Sequence, residues 1–197
     1  LLYKATVTGL KAAKLHLIRQ DAYTRTALIV AGAFGAYSLG ANNIANVMGV
    51  FIPANPLTSI DVAGLFTLSG VQQLFLLGGI AIALGVFTYS KKVMLTVGAR
   101  LMPLSPAAAW IVVMSHSIVL FLFASQDLET LLHGVGLPAI PLVPVSSTQA
   151  VIGAMLGLWI LKGGNGMNAD VLAGIASGWV TTPIIAGVIS FLALYLV

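Results

Sequence analysis

A scarcity of charged side chains is the sequence feature that most constrains the fold of this chain. Only 7% of the 197 residues are charged and 59% are hydrophobic, whereas a soluble domain carries about 25% charged residues. So few charges cannot cover the surface of a water-soluble fold of this size, but an apolar surface needs no covering in lipid. The sequence therefore predicts an all-α fold, a polytopic helical bundle in a membrane.

The rest of the composition narrows the classes of function. The 21 glycines suit close packing of helices in a bilayer. The absence of cysteine excludes a disulfide framework, a thiolate metal site and a cysteine nucleophile. The formal charge of +4 is too dispersed to indicate a nucleic-acid partner, and we expect the basic residues to anchor cytoplasmic loops at the lipid bilayer.

Hydropathy divides the chain into a leading segment and a membrane region. Residues 1–23 interleave lysine and arginine with leucine and isoleucine, which indicates an amphipathic helix at the membrane surface or a connector. We expect residues 24–197 to form the membrane region, with a loop at residues 53–70 and a kink or break at Pro183. The predicted spans are residues 24–51, 71–90, 107–124 and 171–197.

The region after the third span does not have the pattern of a simple crossing. Two short apolar pieces, residues 128–137 and 150–161, are separated by three prolines. Twelve residues of helix cover about 18 Å, which is too short for a hydrocarbon core about 30 Å thick. We therefore expect discontinuous helices here, arranged either as a re-entrant hairpin or as a broken span.

Charge distribution indicates how the spans are oriented. Lysine and arginine cluster in residues 1–25 and 91–100, and acidic residues cluster at 127–129. Two crossings separate the two basic clusters, so both can face the cytoplasm. The side of the C-terminus depends on whether residues 128–161 cross.

Three asparagines interrupt the first predicted span, and irregular backbone at membrane depth must be buried in protein or line a cavity. If a helix resumes after Gly40, Asn42 and Asn46 share one face and Asn43 lies beside them. Their amide oxygens suit Na⁺, and their NH₂ groups can donate to an anion. The alternative is that these asparagines only join neighbouring helices through hydrogen bonds.

A second polar segment, Pro-Val-Ser-Ser-Thr-Gln at residues 144–149, precedes an apolar helix. Serine and threonine at an N-cap, the free N–H groups of the first turn and the positive end of the helix together favour an anion. A discontinuous helix in the bilayer has this arrangement in secondary transporters. The alternative is ordinary capping of a helix that starts in a surface loop.

The two polar segments together indicate a solute site rather than an enzyme. All lysines and arginines lie at span ends or in loops, so a bound anion would need co-bound Na⁺ or H⁺, or positive charge from another segment. His116 lies between Ser115 and Ser117, but no His-Glu-x-x-His or Gly-x-Ser-x-Gly pattern supports catalysis. A passive anion channel is a further alternative.

At these residues the chain resembles a known family. Gly-Ala-Asn-Asn-Ile-Ala-Asn at 40–46 is similar to the first signature of the inorganic phosphate transporter (PiT) family, and Pro-Val-Ser-Ser-Thr-Gln-Ala at 144–150 resembles its second. Trp-Val-Thr-Thr-Pro at 179–183 resembles a third family segment, and Gly-Ala-Arg-Leu at 98–101 also fits. The order of the segments matches, and the resemblance covers residues 19–197.

The resemblance implies a transport function. Family members carry the signatures twice, in two inverted repeats, and this chain holds each once and looks like the C-terminal half. The expected activity is uptake of inorganic phosphate across the plasma (inner) membrane by a multi-pass protein, with Na⁺ or H⁺ as coupling ion and no other cofactor. The N-terminal half is the expected partner, and a homodimer is a further expectation.

Carried over by position, the resemblance implies specific roles. Ser146, Ser147, Thr148 and Asn43 would bind phosphate, whereas the cation would be bound by Asn42, Asn46 and Gln149. Asn43 departs from the family, which usually has aspartate there. A missing carboxylate weakens the attraction for Na⁺ and removes one proton carrier. Because an acceptor carboxylate favours phosphate, which can donate a hydrogen bond, the substitution leaves open sulfate or another oxyanion as substrate.

Overall fold

The chain folds into helices joined by short connections, together with one small β-hairpin. The structure is a computed structural model that describes residues 1–13, 16–95 and 100–195. Its helices are α1 Leu2–Ala12, α2 Leu17–Met48, α3 Gly70–Leu95, α4 Pro106–Ala124, α5 Gln126–Gly134, α6 Ser147–Leu161 and α7 Ala169–Tyr195, with a 3₁₀ turn at Gly49–Phe51 and strands β1 Ile60–Val62 and β2 Phe66–Leu68. The predicted all-α fold class is confirmed.

Among the described residues, four helices are long and apolar enough to cross a membrane: Ile18–Phe51, Gly70–Lys92, Pro106–Ala124 and Ala169–Tyr195. All four predicted spans therefore exist, although α2 begins at Leu17 rather than at residue 24. The α6 helix has 15 residues, or about 22 Å, and is too short to cross alone. The predicted pattern Gly-Ala-Arg-Leu at 98–101 lies partly outside the described residues, because Gly98 and Ala99 are not among them.

The loop between α2 and α3 contains structure that hydropathy did not predict. Strands β1 and β2 pair antiparallel, with Ile60 opposite Leu68. The Asp61 carboxylate accepts a hydrogen bond from the Gly64 backbone N–H at 3.2 Å, and Gly64 has a φ of +71°. Glycine adopts such a backbone without steric cost, so this turn closes the hairpin.

The prediction that residues 40–46 interrupt the first span is wrong. The α2 helix is continuous from Leu17 to Met48. One glycine in a helix interior costs about 1 kcal/mol and asparagine less, and packing against α4 outweighs that cost. The α7 helix likewise continues through Pro183, so of the predicted kink or break the break is wrong, because proline removes only one backbone donor from a long helix.

Helices α2 and α4 run parallel and in close contact. Near their starts, Thr24 and Ala27 line the same cavity as Ala107. Farther along, the Phe34 and Phe121 rings lie 5.6 Å apart between centroids. The two helices approach closely because α2 has Gly35 where a Cβ would lie 2.7 Å from the Ser117 Oγ. The α3 helix follows α2 in sequence and packs antiparallel to it, with Gly78 against Ile44 and Met48.

The α6 helix runs antiparallel to α4 and ends beside its start. A buried core joins the two helices and the segment before α4, and consists of Leu101, Met102, Ala108, Val112, Ile152, Met155 and Leu158. After α6, the Asn168 N–H donates to the Leu101 carbonyl at 2.8 Å. Residues 125–168 therefore travel from the end of α4 back to the level of its start. Of the two predicted arrangements, the structure shows the broken span rather than the re-entrant hairpin.

Charges separate between the two ends of this bundle. We call the end where α2 and α4 begin the basic end, and the opposite end the acidic end. Every described lysine and arginine lies at the basic end: Lys4, Lys11, Arg19, Arg25, Lys91, Lys92, Arg100 and Lys162. The acidic end carries Asp61, Asp127 and Glu129, whereas Asp21 and Asp170 lie at the basic end. By the positive-inside rule we expect the basic end to face the cytoplasm.

Candidate functional site

One long-range hydrogen bond joins the two polar segments. The Asn42 Oδ1 accepts from the Val145 backbone N–H at 3.2 Å, across 103 positions of sequence. Asn42 is only 3% exposed, and Val145 is half-buried. The bond therefore holds the extended segment before α6 against the second half of α2.

This bond fixes the orientation of the Asn42 amide. A buried backbone N–H needs an acceptor, so the Asn42 oxygen and not its nitrogen must face Val145. The amide nitrogen then points away, and among the described residues it is buried without a hydrogen-bond partner. Asn42 thus has one oxygen lone pair and two N–H donors left over. This geometry favours donation to an anion, although the family resemblance implied cation coordination.

The unpartnered amide borders a cavity of about 180 Å³ at the acidic end of α2 and α4. The extended segment forms one wall, and the end of α4 forms another. The lining residues other than Asn42 are Ala41, Ala45, Phe123, Ala124, Gln126, Leu142, Val143 and Pro144. An oxygen-rich ligand in this cavity would accept a hydrogen bond from the Asn42 NH₂ group. That bond is favourable because the buried donor has no other described partner.

The start of α6 lies immediately beyond this contact. Prolines at 141 and 144 keep the preceding segment extended. Ser146 then caps the helix, because its Oγ accepts from the Gln149 N–H at 3.4 Å. The N–H groups of Ser147 and Thr148 have no acceptor in the first turn of a helix. These N–H groups contribute to the partial positive charge at the start of α6.

A second cavity, of about 430 Å³, lies beside this first turn of α6. Ser147 and Thr148 line it from α6, His116 from α4 and Leu39 from α2. The remaining described lining is apolar and consists of Met94, Leu104, Ala109, Val112, Val113, Val151 and Met155. Asn42 therefore lines the smaller cavity and Ser147 and Thr148 line the larger one, and the hydrogen bond from Val145 to Asn42 joins the segments that carry them.

The structure brings some predicted site residues together and leaves others apart. Asn42 and residues 146–148 meet at the contact between α2 and the entry of α6. Asn43 is half-buried, and Asn46 and Gln149 are exposed. Within the described chain, no hydrogen bond joins the side chains of these last three to another residue. In the third signature segment, Trp179 packs against the core while the threonines at 181 and 182 are exposed.

His116 is the residue near the site to which the sequence gave too little weight. The sequence shows only that no catalytic motif accompanies it. His116 is half-buried, and no other described residue forms a hydrogen bond with it. The signal was present, because His116 is the ionisable side chain of the α4 span.

Comparison with known proteins places this arrangement in a class. The fold is a polytopic helical membrane protein with a polar contact between two spans. The family model described as the phosphate transporter family matches residues 5–133. The chain therefore belongs to the phosphate transporter family, whose members are membrane transporters, and it is a multi-pass membrane protein.

Curated relatives are similar over most of the chain. A Pyrococcus furiosus protein named "Putative phosphate permease PF1020" is 30% identical over 171 residues, covering 84% of this chain and 36% of the relative. A Haemophilus influenzae protein named "Putative phosphate permease" is 31% identical over 150 residues, covering 75% and 31%. The Arabidopsis thaliana "Inorganic phosphate transporter 2-1, chloroplastic" is 27% identical over 173 residues, covering 84% and 25%.

The chain is short compared with these relatives. It spans about a third or less of the length of these three relatives. No solved structure matches the chain significantly.

Proposed function

We propose that this chain supplies one half of a secondary active transporter that moves inorganic phosphate, coupled to Na⁺ or H⁺. The chain would act with a second, inverted half, and its place would be the C-terminal one. Membership of the phosphate transporter family supports phosphate as the substrate. The hydrogen bond from Val145 to Asn42 is the structural observation that carries the proposal, because it assembles both signature segments at one place.

The proposed phosphate site uses donors rather than fixed cations. Ser146, Ser147 and Thr148 offer hydroxyls and helix N–H groups at the positive end of α6. The Asn42 NH₂ group, which has no described partner, adds two donors. We therefore assign Asn42 to the phosphate site, although the resemblance implied a role in cation binding. Asn43 stays in the phosphate set, since it lies next to Asn42 and is half-buried.

The proposed cation site uses Asn46 and Gln149, whose amide oxygens accept no hydrogen bond from another described residue. Both side chains are exposed in this chain, and in the proposal the other half of the transporter covers them. No described lysine or arginine lies between the two ends of the bundle. A dianionic or monoanionic substrate held only by neutral donors is costly at membrane depth, which is the physical reason for coupling to a cation.

Uptake into proteoliposomes tests the proposal. The full-length protein would be reconstituted, and uptake of radiolabelled phosphate would be measured with a Na⁺ gradient, with an H⁺ gradient and with neither. We expect saturable uptake that one of the gradients raises at least about five-fold. Uptake that neither gradient changes would contradict coupling, and non-saturating flux with single-channel currents would indicate the passive anion channel.

Competition by unlabelled oxyanions tests the substrate. Because Asn43 stands where an acceptor carboxylate would favour a protonated oxyanion, sulfate is the alternative substrate that the sequence favours most. We expect phosphate and arsenate to compete at similar concentrations and sulfate to require at least about ten-fold more. Stronger competition by sulfate than by arsenate would replace phosphate with sulfate in the proposal.

A further inference from the structure

His116 lies at the middle of the membrane-spanning part of α4. It is ten residues after Pro106, or about 15 Å along a helix whose 19 residues nearly match the hydrocarbon thickness. An ionisable side chain at this depth is rare and costly unless it serves a function. No described residue forms a hydrogen bond with His116, so a structural role through fixed partners does not account for it.

The imidazole shares its cavity with the first turn of α6. His116, Ser147 and Thr148 all line the same volume of about 430 Å³. The rest of the described lining is apolar, so these three side chains are the groups that can hydrogen-bond a ligand there. A ligand bound by the hydroxyls of Ser147 and Thr148 would therefore have the imidazole as its nearest titratable neighbour.

Among the described residues, the titratable side chains other than His116 lie outside the lining of this cavity. The described lining of the cavity contains no further titratable side chain. Of the elements around it, α6 has no titratable residue. The charged residues of α2, Arg19, Asp21 and Arg25, lie in its first turns, and its Tyr37 is exposed. The α3 helix supplies Met94 to the lining, and its Lys91 and Lys92, which precede Met94 in sequence, are not part of the lining; Lys92 Nζ lies 5.5 Å from the Tyr89 ring centroid. The α1 helix, which packs at the start of α4, carries Lys4 and Lys11.

We propose that His116 carries the coupling proton of this half of the transporter. The inference rests on the proposed phosphate transport and specifies its coupling. Histidine is the side chain that ordinarily changes charge between pH 5 and 8, and Asn43, which stands where the family usually has aspartate, cannot carry a proton. The imidazole binds one proton from the side to which the site is open, balances one negative charge of the oxyanion, and releases that proton on the other side. One N–H bond forms and then breaks, and no other bond changes.

Two kinds of transport measured on the same proteoliposomes test this role. Net uptake of radiolabelled phosphate would be driven by a pH gradient without Na⁺, and phosphate–phosphate exchange would be measured at equal pH on both sides. Exchange needs substrate binding and movement but no net proton transfer. The variants are His116→Gln, which keeps hydrogen-bonding capacity without titration, and His133→Gln, an exposed histidine on α5 at the acidic end.

We expect His116→Gln to keep at least about half of the exchange rate but to lose at least about five-fold in uptake driven by the pH gradient. Its exchange should also vary less between pH 5.5 and 8 than that of the unmodified protein. The variant His133→Gln should match the unmodified protein in both assays. Retained exchange shows that the variant is folded and binds phosphate.

Three outcomes would overturn the inference. If His116→Gln keeps pH-driven uptake, the proton is carried elsewhere. If it loses exchange as well as uptake, the imidazole is needed for binding or folding rather than for coupling. If the unmodified protein exchanges phosphate but accumulates it only with Na⁺, phosphate transport stands and the proton role of His116 is wrong. Failure of exchange in the unmodified protein would instead contradict the proposed function.

Discussion

Two segments that break the pattern of the apolar spans fold differently in this chain. Residues 40–46 stay within the continuous helix α2, whereas residues 135–146 are extended apart from the turn that ends α5. Asparagine and glycine retain a backbone N–H, so the helical ladder continues through them. Proline does not, and the second segment has three prolines within seven positions, at 138, 141 and 144. Polar side chains at membrane depth therefore do not by themselves indicate a broken helix.

The difference also assigns a role to each segment. A continuous helix can present side chains at fixed spacing, and Asn42 uses its amide in this way. A broken helix can present backbone groups, and the start of α6 exposes N–H donors at membrane depth. The candidate site combines both kinds of donor. Four tests would break or sharpen this comparison.

The largest effect should come from proline introduced into the continuous segment. Ala41→Pro removes a hydrogen bond in the middle of α2 and costs about 3 kcal/mol or more. In the extended segment the Leu142 N–H donates to no other described residue, so Leu142→Pro should cost much less. Since 1 kcal/mol shifts Tm by about 2–4 °C for a protein of this size, we expect Ala41→Pro to lower the Tm of the full-length protein in detergent by about 6 °C or more. Leu142→Pro should lower it by less than about 2 °C.

Equal losses of Tm in the two variants would show that residues 135–146 are as regular as α2. The comparison would then fail, and the two polar segments would have to be treated as alike.

An intermediate effect should come from removing the contact between the two segments. Asn42→Leu leaves the Val145 N–H buried without an acceptor, which costs about 1–3 kcal/mol. That penalty lowers the population of the assembled site about five-fold or more, so phosphate uptake at subsaturating concentration should fall at least about five-fold. The control is Asn165→Leu, at an exposed asparagine in the turn between α6 and α7. Uptake by Asn42→Leu within two-fold of this control would argue against the contact.

The variant Asn42→Asp separates the two functions of the same side chain. A carboxylate oxygen still accepts from Val145, so the contact with the extended segment is kept, although the buried negative charge itself lowers Tm. It replaces the two free donors with a negatively charged acceptor, so the KM for phosphate should rise at least about ten-fold. An unchanged KM would mean that Asn42 holds the extended segment without touching phosphate.

The spans were predictable from the sequence because hydropathy alone determines them. The limits of α6 were also nearly predictable, since the prolines before it and Gly163 after it are local signals. The pairing of Asn42 with Val145 was not, because it joins positions 103 apart and uses a backbone group that no residue type reveals. The family resemblance named residues 146–149 but gave no indication that Asn42 uses its oxygen for the fold and keeps its nitrogen free.

The position of His116 shows the same limit. Its residue type suggested a function, but the cavity it shares with Ser147 and Thr148 depends on the antiparallel packing of α6 on α4. No local pattern specifies that packing. Interfaces between helices are made of small and apolar residues that are interchangeable in sequence, so their partners emerge only from the assembled bundle.

The smallest effect on stability, and the sharpest test of the site, should come from two matched serine caps. Ser146 caps α6 and Ser105 caps α4, with Oγ distances of 3.4 Å to the Gln149 N–H and 3.3 Å to the Ala108 N–H. Replacing either serine by alanine costs about 1 kcal/mol, so Ser146→Ala and Ser105→Ala should lower Tm by similar amounts. Transport should differ, because in the proposal only Ser146 faces phosphate: its KM should rise at least about three-fold in Ser146→Ala and stay unchanged in Ser105→Ala. A parallel change of Tm and KM in both variants would reduce Ser146 to an ordinary helix cap and leave the first turn of α6 without its proposed hydroxyl ligand.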